Sequence, residues 1–280
     1  MRRFVFAPTL LILPLLLAAT LPARAQSPQF VKQSWTTSSC EGHYGGTRNY
    51  SLFGSRHQFC ELRRITLPAS GEVKVRDENG GIEVIGQQRN TIELEARVIV
   101  QDSSHAKAEA TAQKVTIHTD GEIHATGPSS GIWGGPSWYV NYRLYVPENI
   151  AAQLHTENGG INLRQLNGKI DAATTNGGLS LVNLNGEVHA KTTNGGLSVT
   201  LGGDGWTGQG LWAQTTNGGV NVTLGSHYSA HLDVQNVNGG ISVDLPNITK
   251  IARHHYAGDL GHGGATLSFR STNGGVSVSR

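Results

Sequence analysis

The 280-residue chain reads as an all-β protein, a parallel β-solenoid of two-strand coils with one short helix near its N-terminal end. Three observations predict this. Asn-Gly-Gly occurs seven times, starting at Asn79, Asn158, Asn176, Asn194, Asn217, Asn238 and Asn273. From Asn158 to Asn194 the spacing is 18, and Asn-Gly pairs at Asn167 and Asn185 halve each interval to nine. A fixed period of roughly 20 residues marks a solenoid. Apolar residues alternate after the triplets: Ile161 and Leu163, Leu179 and Leu181, Leu197 and Val199, Val220 and Val222, Ile241 and Val243, Val276 and Val278. Such alternation describes a strand with one buried face. Abundant glycine, 37 residues, and few aromatics would also suit a disordered chain, and the periodicity decides for the turn-rich β fold.

The elements follow in chain order. Arg2 and Arg3, the apolar run Leu10–Ala19 and Ala23-Arg24-Ala25 form a secretory signal peptide over residues 1–25, with the mature chain starting at Gln26. No later segment approaches the roughly 20 apolar residues of a membrane span, and the first cysteine, Cys40, lies too far on for a lipid anchor at that boundary. Residues 26–66 form an N-terminal extension. Its Cys40 and Cys60 are the chain's two cysteines and should pair in an oxidising compartment. The repeat domain spans residues 67–280 and opens with strand-like Gly71–Ile85, which carries the isolated triplet at Asn79. Thr91–Val100 is a strand with Ile92, Leu94, Ala96, Val98 and Val100 on one face. Asp102 or Ser103 can cap an Ala-rich helix running to about Lys114 that covers the N-terminal end of the stack. Val115–Ala125 reads as a hairpin turning at Asp120-Gly121, and Trp138–Val146 as a strand stopped by Pro147.

Within the repeats, the segment before each triplet alternates as well, as in Ile170, Ala172, Thr174 and Val188, Ala190, Thr192. One coil is therefore two strands and two turns. Asn and Gly accept positive φ, so each triplet can bend the chain sharply. An antiparallel meander of hairpins would use the same turn residues. Stacked coils, unlike hairpins, demand identical turns, because like residues then lie about 4.8 Å apart and Asn158, Asn176, Asn194, Asn217, Asn238 and Asn273 can hydrogen-bond in a ladder.

These repeats resemble the bacterial adhesin-like family of β-strand-repeat proteins, a domain of unknown function. The resemblance rests on the Asn-Gly-Gly-apolar-x-apolar units from Asn79 to Val278. It rests also on Cys60-Glu61-Leu62-Arg63, Leu67-Pro68, the Ala-rich helix, Tyr145-Val146-Pro147 and Thr215-Thr216-Asn217-Gly218-Gly219. It implies a fold and an adhesion-like role, and carries no catalytic residues.

The remaining motifs point the same way. Gly127-Pro128-Ser129-Ser130-Gly131 has the spacing of a nucleophile elbow but lacks the strand-to-helix setting that exposes such a serine. Ser104-x-x-Lys107 lacks the partner motifs of an acyl-enzyme site. Leu163 and Ala172 stand where a calcium β-roll would need carboxylates, and His254, His255 and His262 lack a tight Cys or carboxylate partner for zinc. No catalytic residue, metal or cofactor is expected. Three of the 22 basic residues and none of the 20 acids lie in the leader, so the mature chain carries 19 against 20, a formal charge of −1. That excludes the basic surplus of a nucleic-acid binder.

The expectation is an exported periplasmic or cell-surface protein acting as a non-enzymatic binding or structural module. Its partner would be an envelope polysaccharide or a surface protein, or other copies of itself through the solenoid ends. The rival reading is a carbohydrate-active β-helix enzyme, which needs clustered acids where this chain has scattered ones. Inserts at Gly202–Gly210, Gly225–Ser229 and Pro246–Gly264 interrupt successive coils at one point. Such insertions commonly build a binding face. The candidate ligand-binding residues are Trp206, Trp212, His254, His255 and Tyr256, with His227 and Tyr228 nearby.

Overall fold

The computed structural model describes residues 34–40, 50–51, 54–55, 57–129 and 135–280. Residues 1–25, expected to be a signal peptide, lie outside them, as do Ser130 and Gly131 of the elbow-like loop. In chain order the N-terminal part contains β1 (Thr36–Ser39), β2 (Tyr50–Ser51), β3 (Gly54–Ser55), β4 (His57–Pro68), β5 (Glu72–Asn79), β6 (Ile82–Gln87) and β7 (Thr91–Asp102). Then come α1 (His105–Ala112), β8 (Thr116–His118), β9 (His124–Thr126) and β10 (Ser137–Pro147). The repeats supply β11 (Ala151–Asn158), β12 (Ile161–Arg164), β13 (Asn167–Asn176), β14 (Leu179–Val182), β15 (Asn185–Asn194), β16 (Leu197–Leu201), β17 (Gly210–Asn217) and β18 (Val220–Leu224). The chain closes with β19 (Ala230–Asn238), β20 (Ile241–Val243), β21 (Thr249–Ala252), β22 (His255–Leu260), β23 (Thr266–Asn273) and β24 (Val276–Ser279).

Two large sheets carry the fold. One has eleven strands in the order β1-β4-β7-β10-β6-β12-β14-β16-β18-β24-β20, the other nine in the order β21-β22-β19-β23-β17-β15-β13-β11-β5. The strands flanking a triplet enter different sheets: β13 pairs with β11 and β15, whereas β14 pairs with β12 and β16. The hairpin alternative is thereby removed for the repeats. Both sheets are nevertheless mixed. β1, β4, β7 and β10 pair antiparallel, as do β19, β22 and β21, so the expectation of a uniformly parallel stack gives way to an all-β fold with mixed sheets and one short helix. A second departure concerns order. The last repeat, β23 and β24, inserts between its predecessors, so that β23 separates β17 from β19.

The alternating apolar positions meet between the sheets. Ile161, Leu163, Leu179, Leu181, Leu197, Val199, Val220 and Val222 are all buried, facing Ile170, Ala172, Val188, Ala190, Leu211 and Ala213. In the turns after β12 and β14 Gln165 and Asn183 take the left-handed conformation, at φ 55° and 52°, and the next residues, Leu166 and Leu184, drop into the core.

At the triplets, the Asn amides form the ladder. Asn158 donates to Asn79, Asn176 to Asn158, Asn194 to Asn176 and Asn217 to Asn194, at 3.1, 2.9, 2.9 and 2.9 Å. Asn273 continues to Asn217 at 2.8 Å and Asn238 to Asn273 at 2.9 Å, following spatial rather than chain order. Beneath it runs a buried column in register, Asp77, Thr156, Thr174, Thr192, Thr215, Ser271 and Asn236. The hydroxyls of Thr156, Thr174, Thr192, Thr215 and Ser271 donate to Gly80, Gly159, Gly177, Gly195 and Gly218 carbonyls at 2.7 to 3.0 Å.

At the N-terminal end the nine-stranded sheet stops at β5. α1 packs against β4 and β7, burying Ala108, Thr111 and Ala112. Its cap is Ser104, whose Oγ accepts from Lys107 N at 3.3 Å; Asp102 and Ser103 precede it because β7 runs on through Asp102. Arg63 closes the other end, donating to the carbonyls of Ala112 and Val115 at 2.7 and 2.5 Å. The β8–β9 hairpin docks on the edge of β5, with Ile123 N donating to Lys74 O and Arg76 N to Ile123 O.

Candidate binding surface

On the nine-stranded sheet the register places outward side chains in rows across neighbouring strands. One row reads Gln153, Asp171, His189, Trp212, Ser268 and Asp233, from β11 to β19. The next, two residues along each strand, reads His155, Ala173, Lys191, Gln214, Arg270, Gln235 and His255. Trp212 is 38% exposed and stacks on His189, with ring centroids 4.7 Å apart and planes within 6°. That separation matches the spacing of adjacent strands, so the rings continue the stack on the outside of the sheet. Gly210, two residues earlier, is fixed by the neighbouring strand: a Cβ there would lie 2.4 Å from Thr266 O.

Beyond Ser268 lies a bonded polar cluster. His255 Nε2 donates to Asp233 Oδ1 at 2.9 Å, and Gln235 Nε2 donates to both Asp233 oxygens at 3.1 and 3.3 Å. Arg270 in turn donates to Gln235 Oε1. Each long side chain is thereby held by a neighbour, which limits the rotamer entropy lost on binding.

The sequence candidates do not converge on one cluster. The inserts do meet: Gly205 bridges to Ser229, Ser229 N donates to Asp204 O at 2.8 Å, and His262 N donates to Ser229 Oγ at 3.3 Å. Their aromatics turn inward, however. Trp206 is 8% exposed, its Nε1 donating to Gly186 O at 3.0 Å, and Tyr228 is 1% exposed. Trp206 is thus no surface platform; it joins the core, because an indole whose N–H finds a buried carbonyl gains more from burial than from water. Tyr256 packs half-buried against the core, and His254 is half-buried on the turn leading into β22. Of the five candidates, Trp212 and His255 share the outer face, linked through Ser268 and Asp233. Ser268, Asp233, Gln235, Arg270 and His189 carried no motif in the sequence; their common signal is an outward position in period-two strands.

Two hollows lie elsewhere. One, on the outer face of the eleven-stranded sheet, is lined by Glu83, Glu95, Asn141, Arg143 and Asn162. Both of its carboxylates accept from arginines, Glu83 from Arg143 at 2.7 Å and Glu95 from Arg64 at 2.6 Å. The Glu83 hydrogen bond holds the Arg143 guanidinium above its usual pKa. The other, at the first triplet, is lined by Asp77, His124, Pro128, Trp138 and Tyr139. The Ser104 and Lys107 pair is a helix cap, as described above. Among the described residues no three metal-ligating side chains cluster, and no helix is long and apolar enough to cross a membrane.

The Toastrack DUF4097 family model matches residues 61–279, nearly the whole of both large sheets. The chain belongs to this family. As a Toastrack protein it is similar in structure to a putative cell adhesion protein from Clostridium sporogenes, at 9% identity and TM-score 0.40, over 80% of this chain and 99% of that one. A putative adhesin from Bacteroides fragilis shares 8% identity at TM-score 0.31, over 79% and 96% of the two chains. A putative lipid binding protein from Parabacteroides distasonis shares 10% identity at TM-score 0.25, over 79% and 96%. No curated protein matches the Toastrack chain in sequence.

Proposed function

We propose that this Toastrack protein is an exported envelope or cell-surface module that binds without catalysing, its repeats forming a β-solenoid of two-strand coils. The observation that carries the reading is the outer face around Trp212. Among the described residues it presents the one large aromatic counted as exposed, beside a prearranged cluster of carboxylate, amide, imidazole and guanidinium groups. Exposed aromatics ringed by ordered polar groups are the chemistry of recognition surfaces. Export is supported by the leader at residues 1–25 and by the Cys40–Cys60 disulfide, Cα to Cα 5.6 Å, which suits an oxidising compartment. The partner in this reading is an envelope polysaccharide or surface protein.

The test is fractionation followed by retention. The native protein should appear in the envelope or medium, and the purified mature chain should be retained on washed envelopes of its own cells in a saturable way. A cytoplasmic location, or retention no greater than that of an unrelated secreted protein, overturns the reading.

One observation favours self-association as a second reading. In the terminal coil Ile241 and Val243 are only half-buried where their counterparts are fully so, and Val237 and Ile251 are 56% and 61% exposed. The far edge of β20 pairs with no described strand. Sedimentation across a concentration series should then show a dimer that Ile251→Lys dissociates; a monomer at every concentration removes this reading.

A further inference from the structure

The face around Trp212 contains a gap one strand wide. On one side of the indole stands His189, stacked against it. On the other, the facing residue of β23 is Ser268, and the next in the row is Asp233 on β19. Strands lie about 4.8 Å apart, so Trp212 and Asp233 stand about 10 Å apart with only a serine hydroxymethyl between them. The indole therefore has one covered face and one face opening into a slot floored by Ser268 and walled by a carboxylate.

We infer that this slot takes a pyranose ring of a hydroxyl-rich glycan. The inference rests on the binding-module reading and names its ligand class. A saturated ring packs on the indole at a carbon-to-carbon distance of about 4 Å. That leaves about 6 Å to the Asp233 column, the space for an equatorial hydroxyl and a hydrogen bond of about 2.7 Å to the carboxylate. A sugar with equatorial hydroxyls has flat C–H faces and polar edges, so it satisfies the aromatic wall and the acceptor wall together. A lipid chain or a second flat aromatic would leave the remaining acceptor capacity of Asp233 unused and shielded from water, whereas a sugar hydroxyl donates to it. The carboxylate is already aimed: His255 and Gln235 hold it, and it retains acceptor capacity beyond those bonds. Ser268 adds a short hydroxyl beneath the ring.

The slot exists because β23 lies between β17 and β19. Were the strands stacked in chain order, Asp233 would sit directly beside Trp212 and close it.

The probes are cellotetraose and N-acetylchitotetraose, titrated into the mature chain while Trp fluorescence and calorimetric heat are recorded. At least one should bind saturably. Trp212→Ala should weaken it at least tenfold and Asp233→Asn several-fold. Ser268→Tyr, which fills the slot and leaves Trp212 and Asp233 in place, should abolish binding, whereas Ser268→Ala should retain it within about threefold. Thermal melts of each variant confirm folding. Absence of saturable binding to both probes overturns the inference, as does binding that survives Ser268→Tyr in a folded protein. The parent reading is judged separately: if Ser268→Tyr is retained on envelopes like the unaltered chain, the slot is wrong and the binding module stands.

Discussion

Asp77 occupies the first place in the buried column whose other members are Thr156, Thr174, Thr192, Thr215, Ser271 and Asn236. Those six each donate to a glycine carbonyl of a neighbouring triplet, and an ionised carboxylate has no proton to give. Asp77 Oδ1 accepts from Asn79 N at 3.3 Å, while Oδ2 is buried with no hydrogen-bond partner, as is the nearby Tyr142 hydroxyl. Burial raises the Asp77 carboxyl to about 7 and pushes the Tyr142 phenol up as well. The folded state therefore holds a proton that the unfolded state has released between about pH 4 and 7. Stability from this group is greatest below pH 4, falls as pH rises through 7, and is level above that. The full span is on the order of 4 kcal/mol, an upper estimate for one buried group. Asp77→Thr should flatten this part of the pH profile and leave the protein more stable at pH 8. Urea unfolding at pH 4.5, 6 and 8 checks it; a variant with the unaltered pH profile would assign the fall to other groups.

At the scale of the turn, glycine is needed for room more than for conformation. Positive φ occurs at Gly80, Gly239 and Gly274, at 149°, 148° and 150°. In the interior repeats the constraint is contact, since a Cβ on Gly195 would lie 2.0 Å from Gly177 O and 2.5 Å from its carbon. Backbone on both sides cannot yield locally, so the coils must separate. Gly195→Ala should cost about 1–3 kcal/mol, the range of overpacked cores. The second glycine of a triplet is less confined: Gly240 has nothing within 4 Å of an added Cβ, so Gly240→Ala should be neutral. Equal melting temperatures for the two variants would refute close coil contact as the reason for the glycines. Thr192→Val tests the column beneath: it keeps the shape and removes the 2.7 Å bond to Gly177 O. Its expected cost is about 1–2 kcal/mol in urea unfolding, and no loss would mean the carbonyl finds another donor.

Across the whole molecule, the Cys40–Cys60 bond ties the segment carrying β1 to β4, the strand it borders antiparallel through Thr36–Ser39 and Glu61–Arg64. Closing a loop of about 20 residues contributes roughly 3 kcal/mol by restricting the unfolded chain. The double variant Cys40→Ser, Cys60→Ser should therefore fold to the same sheets and unfold at lower denaturant; an unchanged midpoint would show that the unfolded chain is already restricted there. What the sequence by itself determined was the strands of the repeats, their buried faces and the turns; the early strand expected over Gly71–Ile85 instead divides at its triplet into β5 and β6, which enter different sheets. Ile161, Leu163, Leu179 and Leu181 alternate because one side of each strand meets the core, and alternation is visible residue by residue. The helix was legible too, displaced only in its cap, since Ser104 lies one residue beyond the expected oxygen donors. Strand order was not legible. Alternation states which face is buried and is silent about which strand lies alongside, so the placement of β23 between β17 and β19 shows only in the folded sheet. The burial of Trp206 and Tyr228 was hidden for a similar reason: inserts read as surface loops, yet their own aromatic rings turn into the core. Only the tertiary structure could decide that Trp212 alone of those aromatics faces outward with a gap beside it, because that gap depends on a neighbour more than 50 residues away in the chain.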